Sequence, residues 1–129
     1  MNAYEMYGRD EMFYKIGHDQ DDDLLCEAIS GIENPQKADD KGLTYLHIAA
    51  LHYQVRAVEA LLKMGANPNC VDNRGKTPLS YAIGSKNPNL VKTVQLLLDY
   101  GADLDAKCGD QTIRETIKTF VDSDLKRFV

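Results

Sequence analysis

Short amphipathic segments come in pairs along this chain. Leu46, Ala49 and Ala50 fall on one face of a helix, and Val55, Val58, Leu61 and Leu62 fall on one face of a second, because apolar residues three and four apart share a helical face. The same couplet returns as Leu79, Ala82 and Ile83, then Leu90, Val91, Val94, Leu97 and Leu98. Thr44 and Thr77 precede the first helix of each couplet, where a hydroxyl caps free amides. Gly65 and Gly101 follow the second, where a left-handed residue ends a helix. Between each of these glycines and the next threonine, the run rich in Asn, Asp and Gly predicts a turn projecting from the helices. The small side chains of Ala49, Ala50 and Ala82 predict helices that approach closely.

The couplets are two copies of one template. Gly42, Thr44, Leu46 and Ala49 recur 33 residues later as Gly75, Thr77, Leu79 and Ala82. Val58, Leu61, Leu62, Gly65, Ala66 and Asn67 recur 36 residues later as Val94, Leu97, Leu98, Gly101, Ala102 and Asp103. A period of this size marks stacked supersecondary units that cannot fold singly. The extra residues lie within Ser85–Asn89, where Asn87 reads as an N-cap and Pro88 as the first helical residue, leaving both helices intact. Carried backward by 33, Asn34, Pro35, Asp39 and Gly42 underlie Asn67, Pro68, Asp72 and Gly75. Phe13, Ile16, Leu25, Ala28 and Ile29 fall on core positions by the same shift. Toward the other end, Thr112 and Ile113 match Thr77 and Pro78, and Ile117, Phe120 and Val121 continue an apolar face. The expected organisation is one domain over 1–129, with a degenerate repeat at about 6–38, a repeat at 39–71, a repeat with the insertion at 72–107 and a truncated repeat at 108–129.

Asp39 to Gly42 followed by Thr44, Tyr45, Leu46, His47 and Ala49, and Asp72 to Gly75 followed by Thr77, Pro78, Leu79, Ser80 and Ala82, resemble the repeat pattern of the ankyrin family. Each is closed by that family's Gly-Ala-Asn/Asp signature, at Gly65–Asn67 and Gly101–Asp103. The departures are Tyr45 for Pro, Ser80 for His and the insertion. The resemblance implies an all-α solenoid of helix-turn-helix units with hairpin-like turns along one edge. It further implies binding of another protein through variable residues at the turn tips and on the inner helices: Asp40, Lys41, Leu43, Leu51 and His52 in one repeat, and Asn73, Arg74, Lys76, Gly84 and Ser85 in the next. Lys41, Leu43, Arg74 and Lys76 are the first contacts expected at the tips. His47, at the family's His position, is expected to hydrogen-bond within its turn.

Composition narrows this picture. A chain of 129 residues with 43% hydrophobic content can bury one continuous core. Its longest apolar runs are short, and its N-terminus carries acids and tyrosines in place of a basic, apolar leader, so a cytoplasmic protein without a membrane span is expected. Cys26, Cys70 and Cys108 form no CxxC pair and read as reduced, semi-buried thiols. The net charge of −5 argues against a nucleic-acid surface. That charge is uneven: residues 1–40 hold 11 acids and 3 bases, and the remainder holds 9 acids and 12 bases.

Asp19, Asp21, Asp22 and Asp23 concentrate the acidity. A calcium loop opening at Asp19 would need Gly at its sixth position and Glu at its twelfth, where Leu24 and Ser30 stand. The remaining readings are a helix N-terminus with acids facing the macrodipole and a patch that attracts a basic partner. His47 and His52 are not spaced as metal ligands on one helical face, His18 reads as a surface residue, and no motif specifies a nucleophile with its base. Tyr4, Tyr7, Phe13 and Tyr14 read as a cap over the open end of the stack. The expected function is therefore a non-enzymatic protein-binding module, monomeric when free, with no cofactor, metal or catalytic residue. It is expected to act as a small stand-alone inhibitor, in the manner of a bacterial immunity protein that neutralises a toxin. An adaptor bridging two proteins is the alternative, and a metal-dependent enzyme a more distant one.

Overall fold

The structure, a computed structural model, describes residues 16, 21–84, 86–119 and 124–129. Its helices are α1 (Asp22–Ser30), α2 (Tyr45–Leu51), α3 (Val55–Lys63), α4 (Pro78–Ala82), α5 (Leu90–Asp99) and α6 (Ile113–Lys118), followed by a 3-10 helix at Asp124–Phe128. A two-stranded antiparallel ribbon, β1 (Lys107–Cys108) and β2 (Gln111–Thr112), pairs Lys107 with Thr112 and Cys108 with Gln111. The architecture is an all-α stack in which α2 packs on α4 to form an inner row, while α1, α3 and α5 pack in succession to form an outer one.

Local chemistry sets the ends of these helices. The Thr44, Thr77 and Thr112 hydroxyls each accept from the backbone amide three residues on, capping α2, α4 and α6. Asp21 caps α1 by accepting from the amides of Asp23 and Leu24, both at 3.1 Å, so part of the acidic cluster serves as a helix terminus. At the other end of α3, Gly65 has φ 94° and donates to the Leu62 carbonyl, while Ala66 donates to Leu61. Gly101, at φ 96°, and Ala102 repeat this on Leu98 and Leu97 at the end of α5. These paired bonds satisfy carbonyls that a helix otherwise leaves open.

Where the expectation differs is the entry to α5. The helix begins at Leu90 rather than at Pro88. Asn87 accepts from the Asn89 amide at 2.8 Å through its side chain and from the Leu90 amide at 3.0 Å through its carbonyl. It therefore caps a tight turn that leads into the helix. The linker from α4 thus runs over residues 83–89, against 52–54 between α2 and α3. Tyr53 closes that shorter linker in a left-handed conformation, φ 54°, with its hydroxyl donating to the Ala82 carbonyl at 2.6 Å.

The core runs continuously through Ile16, Leu25, Ile29, Leu46, Leu61, Leu79, Leu97, Ile113, Ile117 and Leu125. Ile48 and Ala57 are also buried, although the apolar pattern did not single them out. Helix α2 is enclosed by α3 on one side and α4 on another, so nearly its whole circumference is buried. Phe13, Phe120 and Val121 lie outside the described residues, as do the four N-terminal aromatics as a group. Ala49 is fully buried within α2, where a longer side chain would force neighbouring helices apart. Ala49→Glu is expected to lower stability by about 3 kcal/mol or more by burying an unpaired charge. Urea denaturation tests this, and an unchanged midpoint would contradict the close packing.

Candidate partner-binding surface

Two hairpins project from the stack, and one carboxylate organises each. The Asp39 side chain accepts from the amides of Lys41 and Leu43, both at 2.9 Å, and Asp72 does the same for Arg74 and Lys76, also at 2.9 Å. Backbone bonds close each loop, from Asp39 N to Leu43 O and from Asp72 N to Lys76 O. Neighbouring hairpins are then joined: the Asn73 amide donates to Lys41 O at 2.9 Å, and its side-chain nitrogen donates to Asp40 O at 3.0 Å. This contact is close enough that a Cβ on Gly42 would stand 2.7 Å from the Asn73 side-chain oxygen and 2.9 Å from its amide.

These bonds divide the expected contact residues into two groups. Asp40, Lys41 and Arg74 present exposed side chains. Asn73 is also exposed, but its side chain is engaged in joining the hairpins. Leu43 is a partly buried residue packed against the core, so it is not the free apolar tip that its position implies. Lys76 is half-buried, with its ammonium 5.4 Å from the centre of the Tyr81 ring. Leu51 and His52 are exposed, at the last residue of α2 and its C-cap. Gly84 is exposed beyond the C-cap of α4 rather than on the inner helix, because that helix ends early. Ser85 and Asp19 lie outside the described residues. In the acidic cluster, Asp21 is the cap of α1, Asp22 is its first residue, and Asp23 faces Arg56 of α3 at 3.5 Å.

Behind the hairpins, His47 holds two layers in register. Its Nδ1 accepts from the Thr44 amide at 3.1 Å, which leaves the proton on Nε2 to donate to Lys76 O at 2.8 Å. Burial lowers its pKa against the opposing influence of the Lys76 carbonyl and the charges of Asp72 and Asp39. Tyr81 packs edge-on to this ring with centroids 5.8 Å apart and donates to the Asp72 carboxylate. Burial alone would raise the Asp72 pKa, but that hydroxyl, the Lys76 and Arg74 amides and His47 together hold it below its ordinary value. Tyr81 is pushed up to about 12, by burial first and then by its bond to Asp72. The Cys70 thiol lies 3.8 Å from His47 Nδ1, yet burial raises its pKa, opposed by its contact with Thr44. With Nδ1 already occupied and the thiol kept protonated, this pair lacks the features of an activated nucleophile.

A second set of cross-layer bonds lies at the opposite ends of the units. The Gln36 amide group donates to Gly65 O at 2.6 Å and accepts from Asn67 N at 3.0 Å. Asn69, 33 residues later, repeats the clamp on Gly101 O at 2.9 Å and Asp103 N at 2.8 Å. Neither clamp is announced by the local sequence pattern, nor are the bonds of Tyr53 and Tyr81, whereas Asp72 stands at a position that recurs with the period. The shared period was the available signal for Gln36 and Asn69, and Asp39 and Asp72 share it as well. Among the described residues, no group of three or more His, Cys, Asp or Glu side chains is placed to hold a metal, and no helix is long and apolar enough to cross a membrane.

Glycine substitutions separate backbone conformation from crowding. Gly42 and Gly75 both have positive φ, 81° and 77°, but a Cβ on Gly75 meets nothing within 4 Å. Gly42→Ala should therefore destabilise the chain by about 1–3 kcal/mol more than Gly75→Ala, a difference read from paired urea curves and refuted by equal losses. Acidification supplies a separate test. The folded-state pKa of His47 lies below that of the unfolded chain, so the unfolded state takes up the proton first and stability falls as pH drops below about 6.5. His47→Gln should flatten this slope between pH 7.5 and 5.5, and an unchanged slope would show that other groups produce it.

A family model described as three copies of ankyrin repeats matches residues 14–108. The Neurogenic locus Notch protein of Drosophila melanogaster is 36% identical over 90 residues, 70% of this chain and 3% of that protein. The B-cell lymphoma 3 protein homolog of Mus musculus is 38% identical over 85 residues, 65% of this chain and 18% of that protein. The chain thus spans only a small part of each of these curated relatives. Among solved structures, the human ASB11 ankyrin repeat domain superposes with a TM-score of 0.62 at 24% identity, over 77% of this chain and 43% of that one, a likeness of fold. Ankyrin repeats serve as protein–protein interaction modules, and this chain belongs to the ankyrin-repeat family.

Proposed function

We propose that the chain is a small non-enzymatic binder that inhibits another protein by covering part of its surface, with the two hairpin tips as the leading contacts. The observation that carries this reading is the pair of bonds from Asn73 to Lys41 O and Asp40 O. They fix the backbone beneath the exposed side chains of Asp40, Lys41 and Arg74, so binding requires little further ordering. Leu51 and His52 extend the contact surface from α2. In this reading the chain works as a cytoplasmic monomer, built from the four units at about 6–38, 39–71, 72–107 and 108–129.

A toxin-neutralising role is the specific form of this proposal, and the uneven charge supports it. Residues 1–40 hold 11 of the 20 acids, which favours encounter with a basic surface. Asp23 is highly exposed, and its ion pair with Arg56 is exposed on both sides. Such pairs contribute little to stability, so Asp23 can turn to an incoming cation. Asp21 is less suited to that role because its carboxylate caps α1.

Mixing the purified chain with the purified products of adjoining genes should give one stoichiometric complex by size-exclusion chromatography with light scattering. The absence of any complex overturns the proposal. Within a complex, joint Lys41→Glu and Arg74→Glu substitution is expected to weaken binding about tenfold or more. Asp23→Lys is expected chiefly to slow association, most strongly at low salt. Unchanged affinity in the double variant would remove the hairpin tips from the interface.

A further inference from the structure

We infer that the hairpin tips receive an acidic, extended segment of the partner protein, with Lys41, Arg74 and Lys76 as the groups that meet its carboxylates. The inference rests on the reading of the tips as the leading contacts and assigns the chemistry they select. The chain as a whole is acidic, at net −5, so a cationic surface on it needs a local cause. That cause is the way each hairpin uses its own carboxylate. Asp39 and Asp72 each turn one oxygen to two backbone amides, and the other oxygen of Asp72 accepts from the Tyr81 hydroxyl. These carboxylates are thereby committed to the hairpin roots, and the neighbouring cations are left to face outward.

Ion pairing sets the tips apart from the rest of the surface. Among the described residues, Arg56, Lys63, Arg114 and Arg127 each pair with a carboxylate, whereas the exposed Lys41 and Arg74 form no ion pair. The Lys76 ammonium stands 5.4 Å from the centre of the Tyr81 ring, a contact that positions the charge without neutralising it. The charge of Arg74 also acts on the Tyr81 hydroxyl, so both cations of the second hairpin surround one side chain.

The spacing suits an extended peptide. Lys41 and Arg74 hold the same place, three residues before the threonines that cap α2 and α4, and packed helices lie about 8–10 Å apart. On an extended chain, side chains two residues apart share a face at roughly 7 Å, an offset that the long Lys and Arg side chains accommodate. The exposed Asp40 and Asp110 interrupt the hairpin edge, which disfavours a continuous phosphate backbone and favours a short run of spaced carboxylates. Asp23 lies elsewhere: its ion-pair partner Arg56 is in the first turn of α3, and the length of α2, seven residues or about 10 Å, separates that end from the hairpins. A partner that meets both regions presents a basic surface to one and an acidic segment to the other, and this opposition fixes its orientation.

Titration of the isotope-labelled full chain with an acetylated hexaglutamate amide, followed by NMR at low salt, tests the inference. Net charge alone would repel this peptide, so binding reports the local field of the tips. Amide resonances in 40–43 and 73–76 should shift together and saturate, and raising the salt to about 0.3 M should weaken binding at least fivefold. Joint Lys41→Glu and Arg74→Glu substitution should lower the affinity about tenfold or more. Joint Lys92→Glu and Lys118→Glu substitution makes the same change of charge on exposed positions of α5 and α6 and should leave it within about twofold. An equal loss in both pairs would overturn the inference, as would hexathymidylate shifting the same amides at lower concentration. Hexaglutamate that shifts none of those amides in the wild-type chain overturns it regardless of the variants. A stoichiometric complex with the adjoining gene product in that case would leave the binder standing and remove only the acidic segment.

Discussion

The stack depends on backbone groups of one layer being satisfied by a side chain from its neighbour. His47 accepts an amide within its own layer and donates to a carbonyl of the next, so its two nitrogens act as a bridge between hairpins. Asn73 joins the same hairpins closer to their tips, and Gln36 and Asn69 act at the opposite ends of the units. Apolar burial supplies the general attraction between layers, but it has little directional preference. The polar bridges select one register from the many that would bury similar area.

That division explains what was legible in the chain. Helices with periodic apolar faces, threonine caps and glycine stops can be read from local chemistry, and α2, α3 and α6 follow that reading. The fold class is visible for the same reason. Hydrogen bonds between layers are less visible because their partners lie about one period apart and several end on backbone atoms. Nothing in the residue type of Lys76 announces that its carbonyl receives His47, and no local pattern assigns the Tyr53 hydroxyl to Ala82. The early end of α4 is equally hidden, since Ile83, which caps it, continues the apolar pattern of the helix.

The surface follows a similar logic. A residue's place in a turn predicts exposure more readily than availability. Lys41 and Arg74 are exposed side chains on restrained backbones, while Asn73 is exposed but structurally engaged and Leu43 turns toward the core. Lys76 is drawn over an aromatic face, where the ring quadrupole favours a cation. The candidate interface is consequently narrower than the variable positions of the repeat pattern imply. Its rigidity comes from residues that need not touch a partner.

Tyr53 shows how a local conformation can depend on a distant layer. A large L-residue in the left-handed region carries a backbone cost of about 1–2 kcal/mol, and this one lies at φ 54°. Its hydroxyl bond to Ala82 and the burial of its ring offset that cost. The hydroxyl bond is available only when α4 is in place, so the turn between α2 and α3 gains that part of its stability only after the following unit has docked. The residue thereby converts a sequence of separable repeats into a concerted pair, and cooperativity between those two units is written into one strained linker.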